Sequence, residues 1–312
     1  MVCFVFVNSQ FNYTITFIMV VLIARSGVSI LVKNTVSEGR CSVMKAIKND
    51  HTSERRNIKT VTIRASDVAA VLGRNIYKKY DVVFDEMWKK HSPATFFGQT
   101  RDDMALEAVA KCSEEVKMSI ATAAAYQATD AVDAKIQLVQ AEKIIESSVT
   151  LSPTDKVKVL DHVKSQVYTA HGIRAESKTA DLIEEKEGIL LQIDTKLYNY
   201  QLCVIDGTRY QISGKVDRIE QVDDDIAIVE IKNRMNRLFL RVPDYEFIQV
   251  QTYMQIVPLN IKRTKLIEQY RNETNTIVVD RDDRLWNDEI LPLLSNFCVD
   301  FHRATSSNKL VQ

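Results

Sequence analysis

The chain has 312 residues, 46% of them hydrophobic and 26% charged, with eight glycines and five prolines. This composition excludes a disordered, collagen-like or mucin-like protein and provides for one large core or two modest ones. The formal net charge is zero, from 41 basic and 41 acidic side chains, which argues against a histone-like or tail-driven nucleic-acid binder.

Residues 1–48 hold five Lys or Arg and one Glu, and the rest of the chain carries a net charge of −4. Residues 1–24 are uncharged, and 14–24 are almost wholly apolar up to Arg25. Three readings of this extension stand side by side. It is a signal-anchor or membrane helix, a strand or helix packed on a soluble body, or a translated extension ahead of a functional start at Met19 or Met44. A membrane helix needs about 20 apolar residues, reached here only by counting in Asn8, Ser9, Gln10 and Asn12. Nothing after Arg25 resembles a second span, so the body is expected to be soluble and intracellular. The five cysteines, at 3, 41, 112, 203 and 298, include no close pair and read as free thiols of a reducing compartment.

A polar arm at 49–59 leads into 61–64 and then ASDVAAVLG at 65–73, where Ser66, Asp67 and Gly73 predict a short capped helix. Helical spacing continues at 80–90, and the Ala-rich stretch 100–146 is strongly helical. Ser152-Pro153 starts another helix over 152–168, and a separate helix is expected at 176–187, closed by Gly188. Strands follow at 197–205, 210–219 and 226–232, with turns at Asp206-Gly207 and 223–225. A helix at 245–256, strands at 265–268 and 276–279 and a closing helix at 284–303 complete the pattern. The expected fold is α/β (α+β): a mixed central sheet flanked by helices, with a helical region inserted before the core. The corresponding divisions are the extension 1–48, a mostly helical part 49–168, a core 169–304 and a disordered tail 305–312.

Chemistry concentrates in GKVDRIEQVDDDIAIVEIKNR, residues 214–234. Glu230 and Lys232 are two apart on an otherwise apolar strand, so both leave the same face, and a tight turn at 223–225 would bring Asp217 beside Glu230. Two acids and a lysine at the end of a buried strand are costly to desolvate unless they bind metal or one another. Carboxylates holding one or two Mg²⁺ ions, with a lysine serving the attacking water, form an arrangement that hydrolyses phosphodiesters. An edge hairpin with ordinary surface ion pairs has the same spacing.

The pattern resembles the restriction-endonuclease-like PD-(D/E)xK nuclease superfamily. Gly214 precedes Asp217 as in its G-x-x-D form, and Glu176 in GIRAE resembles the helix acid that completes the metal site. Gln249 and Tyr253 form the Q-x-x-x-Y of the exonuclease branch, which implies that both hold DNA through its phosphate. FIQVQTYMQI at 247–256 is similar to a segment of the phage-lambda-type exonuclease and YqaJ-like viral recombinase family. That family opens with a small helix whose serine holds the 5′-phosphate of a DNA end. IRASDVAAVLG at 63–73 resembles it, which implies this role for Ser66, with Lys59, Arg64 or Arg56 as the basic partner. The helical stretch 74–165 is longer than compact phage enzymes have, and residues 1–48 match nothing in the family.

The resemblance implies a Mg²⁺-dependent (alternatively Mn²⁺-dependent) DNA exonuclease acting 5′-to-3′ on duplex ends for recombination or replication. Asp217, Glu230 and Glu176 would be its metal ligands and Lys232 its catalytic base or orienter, in the viral replication compartment of a host cell. A homo-oligomer and a single-strand annealing recombinase enter as further partners. Two alternatives remain: a structure-specific or nicking endonuclease of the same fold, and a non-catalytic DNA-binding or scaffold protein. No G-x-x-x-x-G-K-[ST] is present, so no ATP is expected. The five histidines (51, 91, 162, 171, 302) lack metal-ligand spacing; His171 reads as a surface residue or as a contact to substrate or metal. Trp88 and Trp286 read as packing residues.

Overall fold

The apolar N-terminal run is extended. In the computed structural model, which describes residues 2–8, 15–24, 27–35, 58–223 and 225–307, three strands form an antiparallel sheet. They are β1 (Val2–Asn8), β2 (Ile15–Ala24) and β3 (Gly27–Thr35), with Val2 opposite Val21 and Thr16 opposite Thr35. Their density of Val, Ile, Phe and Thr suits the pleated backbone. Within the apolar stretch expected as a membrane helix, Ile15–Ala24 is a strand, and among the described residues no helix is long and apolar enough to cross a membrane. Met1–Asn57 and Ile58–Gln312 are two compact units.

The second unit opens with β4 (Thr60–Arg64), a 3-10 turn (Ala65–Asp67) and the single-turn α1 (Val68–Val71), which Gly73 ends at φ +71°. Contrary to expectation no side chain caps this helix. Asp67 is turned to Arg64 and Lys78 instead, at 2.6 and 3.0 Å. After α2 (Tyr80–His91) and a 3-10 turn (Pro93–Thr95), the Ala-rich stretch divides into α3 (Arg101–Ala110), α4 (Glu114–Ala125) and α5 (Ala131–Ser147). Each start is dictated by a cap. Thr100 and Asp103 make a reciprocal capping box, Ser113 accepts from the Val116 amide, and Asp130 accepts from the Val132 and Asp133 amides.

The helices expected at 152–168 and 176–187 are one: α6 (Pro153–Glu187) runs 35 residues from the Ser152 cap to Gly188 at φ +66°. Gly172 does not interrupt it. A glycine weakens a helix by about 1 kcal/mol relative to alanine but leaves its hydrogen bonds intact. The helix also crosses residues 168 and 169 without a break, and Glu176 lies in its interior, not near a start. The expected strand 210–219 is two strands of different sheets. After β5 (Leu191–Ile193) and β6 (Tyr198–Ile205), β7 (Thr208–Gly214) ends at Gly214, and β8 (Arg218–Val222) begins after three linking residues. Then follow β9 (Asp225–Asn233), α7 (Asp244–Ile256), β10 (Arg263–Tyr270), β11 (Glu273–Asp280), α8 (Asp283–Leu285), a π-helical turn (Trp286–Ile290) and α9 (Leu291–Ser307).

The result is a mixed α/β fold. A five-stranded sheet, ordered β11-β10-β9-β8-β5, is antiparallel except where β9 runs parallel to β10; a three-stranded sheet is ordered β4-β7-β6. One core packs α1, α2, α7 and α9 on β4 and β7, with Trp286 buried in it and Trp88 at its margin. A second joins α3 to α6, and a third seats Ala180 and Ile183 of α6 on Val229, Ile231 and Ile267. His171 is buried, not on the surface. Cys112, Cys203 and Cys298 are free thiols. Arg56 and the tail 308–312 lie outside the described residues.

Candidate active site

β9 is buried from Ala227 to Ile231, as its apolar sequence requires of a strand with neighbours on both sides. Glu230 is therefore held in the sheet, 3% exposed, and Lys232 emerges on the same face where burial ends. Asp217 lies just before β8, past the end of the β8–β9 ladder, and its Oδ2 accepts from the Ile231 amide at 2.9 Å. The side chain thus takes the backbone donor that the shortened strand leaves over.

Lys232 Nζ donates to Glu230 Oε1 at 2.7 Å, and Gln249 Nε2 donates to the same oxygen at 3.1 Å. Gln249 and Tyr253 are one turn apart on α7, and the Gln249 amide also reaches Tyr253 Oη at 2.9 Å. Sequence reasoning thus anticipated a set that the fold does assemble: Asp217, Glu230, Lys232, Gln249 and Tyr253. Gly214 makes this packing possible. A Cβ there would lie 2.8 Å from Ala65 Cβ, Ile256 Cδ1 and Tyr253 Cε1, so only hydrogen fits between α7 and the turn that carries Ser66.

Electrostatics set the protonation of the group. Burial, then Glu230 and Glu176, hold the Asp217 carboxyl well above the usual carboxylate range, against the Ile231 amide and Lys232. Burial also opposes charge on Lys232, but Glu230, Glu246 and Asp217 outweigh it and keep the side chain an ammonium. Burial, with Glu230, pushes the Tyr253 phenol far up, so it stays protonated. Because the raised Asp217 pKa makes the folded state bind a proton that the unfolded chain has released, stability falls as pH rises from the ordinary carboxylate range toward the folded pKa. Asp217→Asn is expected to remove that loss. Urea midpoints in EDTA should then fall less with rising pH for the variant than for the wild type, and parallel curves would refute the assignment.

Glu230 Oε2 is buried and has no hydrogen-bond partner. A buried carboxylate oxygen without a donor costs about 1–3 kcal/mol or more, and a cation would satisfy it. Asp217 and Glu230 therefore fit a hard divalent ion of the Mg²⁺ kind, which binds through one or two carboxylates and completes its shell with water and phosphate oxygens. Glu176 is differently engaged. Its Oε1 accepts from Arg218 at 2.7 Å, and the same buried guanidinium bonds the Asp217 carbonyl and Ser177. Consistent with this, no group of three or more His, Cys, Asp or Glu among the described residues is disposed to hold a metal.

The basic residues expected to serve a phosphate are engaged elsewhere, although the turn that carries Ser66 packs against α7. Arg64 bonds Asp67 and Glu86, Lys59 Nζ donates to Ser92 at 2.8 Å, and Ser66 is exposed in its 3-10 turn. Two features escaped sequence reading. Arg218 follows the motif aspartate directly and commits Glu176. Arg234 continues the two-residue spacing of Glu230 and Lys232, a signal open to a reader of the strand. Its guanidinium bridges Glu246 at 2.6 and 2.7 Å and Glu268 at 2.7 and 2.8 Å.

No protein-family model and no curated protein matches this chain. A solved crystal structure of a protein designated SSO0001 is similar with a TM-score of 0.32 and 16% identity, over 53% of this chain and 85% of that one.

Proposed function

We propose that this chain is a Mg²⁺-dependent nuclease of the restriction-endonuclease-like class, acting as a 5′-to-3′ exonuclease on DNA duplex ends. The observation that carries the reading is the unpartnered, buried Glu230 Oε2 beside Asp217 and Lys232 at the end of the central strand. Asp217 and Glu230 would hold the ion, which when bound stabilises the pentacoordinate phosphate and lowers the pKa of a water. Lys232, as an ammonium, orients the attacking water and offsets the negative charge that grows on the phosphate. Gln249 fixes Glu230 from the side. Tyr253 accepts from Gln249 and keeps its own proton for a ligand oxygen.

A second reading, a non-catalytic DNA-binding protein that keeps the fold, draws on one observation: Glu176 is committed to Arg218 and not to an ion. Digestion of linear duplex DNA by the full chain separates the two. With Mg²⁺, loss of 5′-phosphorylated linear DNA, abolished by EDTA and absent on covalently closed circles, supports the exonuclease. Cutting of closed circles would make the protein an endonuclease. DNA binding without cleavage in Mg²⁺ or Mn²⁺ would favour the non-catalytic reading.

A further inference from the structure

Most arginines of the second unit are ion-paired, as in Arg64–Asp67, Arg101–Asp161 and Arg263–Asp225. Among the described residues, Arg174, Arg237, Arg241 and Arg271 are not paired with a carboxylate, and all four are exposed. The remaining one without an ion pair, Arg209, belongs to β7 of the small sheet.

The fold brings those four toward one edge. β9 and β10 run parallel with Asn233 opposite Gln269, and the Arg234 amide donates to the Gln269 carbonyl at 2.7 Å. The loop carrying Arg237 and Arg241 and the turn carrying Arg271 therefore leave the sheet at the same end, the carboxyl end of the strand that bears Glu230 and Lys232. Arg174 stands on α6 two residues from Gly172, whose carbonyl accepts from Asn233 Nδ2 at 3.3 Å. Glu246 and Glu268 are taken by Arg234 and Asp244 is paired with Arg74, which leaves Glu273, two residues from Arg271, as the exposed acid of the turn. Four exposed arginines against that one acid leave the edge with a net positive charge.

These cations sit on held backbone. Leu240, 70% exposed, has φ +58°, a conformation unfavourable for a bulky residue, and its amide is fixed by Glu268 Oε2 at 2.9 Å. The Phe239 amide bonds the other oxygen at 3.1 Å, and the Phe239 ring lies 4.1 Å from the Arg234 guanidinium carbon. Arg271, also at positive φ, has its guanidinium over the Tyr270 ring. An anchored loop loses little conformational freedom when its side chains engage a partner.

We infer that the arginine edge formed by the loop 236–241 and the turn at Arg271 is a docking surface for the phosphate backbone of duplex DNA, leading into the Asp217–Glu230–Lys232 cluster. The inference rests on the nuclease reading for its ligand and extends it to residues outside the cluster. Backbone contacts of this kind position a duplex without reading its sequence.

The test is equilibrium binding of a fluorescent 5′-phosphorylated duplex to the full chain in EDTA over a series of salt concentrations. It compares wild type, Arg237→Ala/Arg241→Ala, and a control, Arg263→Ala/Arg284→Ala. Each lost phosphate contact should flatten the log K against log[salt] slope by about 1, so the double variant should lose about 2 and bind unrelated sequences more weakly to the same degree. The control should keep the wild-type slope. An unchanged slope and Kd in Arg237→Ala/Arg241→Ala would overturn the inference, as would a wild type that binds anionic vesicles but no duplex. Loss of binding on this pattern without any cleavage in Mg²⁺ would leave the surface standing and remove the nuclease. Cleavage by the wild type with unaltered binding by the double variant would do the reverse.

Discussion

Lys232→Ala is expected to lower Mg²⁺-dependent cleavage of duplex DNA by about 10²–10⁴-fold, the range set by losing a positioned proton-transfer or charge-stabilising group. The side chain touches Glu230 at 2.7 Å and approaches Gln249 Oε1 at 3.4 Å, and it lies where the central strand meets the site. Its removal leaves both candidate metal ligands in place and takes away a competing cation. Stabilisation by Mg²⁺, read as a rise in Tm, should therefore persist or increase in Lys232→Ala. It should vanish in Glu230→Gln, which loses the carboxylate bearing the unpartnered oxygen. Equal cleavage by wild type and Lys232→Ala would remove Lys232 from the reaction. A Glu230→Gln protein that Mg²⁺ still stabilises as it does the wild type would remove the metal site.

Arg234→Ala should produce the largest loss of stability, about 3–5 kcal/mol, because it strands two buried carboxylates. Glu246 is 2% exposed and Glu268 fully buried. Burial alone would raise the Glu268 carboxyl, yet Asn275, the Leu240 and Phe239 amides and Arg234 together hold it below its ordinary value. Arg234→Lys keeps the charge but loses the planar fork that serves both acids at once, so it should fall between wild type and alanine. Glu246 lies near the start of α7, one turn before Gln249, and the network ties that helix to β9 and β10. Urea unfolding measures the effect, and a change within 0.5 kcal/mol would show that the triad contributes specificity of packing and little stability.

Short-range patterns were the legible part of this fold. The cap at Ser152 and the stop at Gly188, the continuous apolar run of β9, and helical spacing in α2, α7 and α9 are properties of a few adjacent residues, and each appears where local chemistry puts it. The same holds for Glu230 and Lys232, whose common face follows from the period of a strand, and for Gln249 and Tyr253, which share a helical face.

Tertiary structure decided what depends on distant partners. Two helices were expected on either side of Gly172, but α6 continues through it, one half packed against the helices and the other against β9. The run 210–219 reads as one strand by alternation. A Cβ at Gly214 would collide with Ala65, Tyr253 and Ile256, so the end of β7 is tightly pressed, and β8 belongs to another sheet. Glu176 carried a metal-ligand expectation only through the family resemblance of GIRAE, whereas an arginine far along the chain engages it. The acids, the lysine and their faces were set by the sequence alone. Which carboxylate keeps an unpaired oxygen, and which is neutralised by an arginine, was settled only when separate elements met and each buried charge had to find a partner.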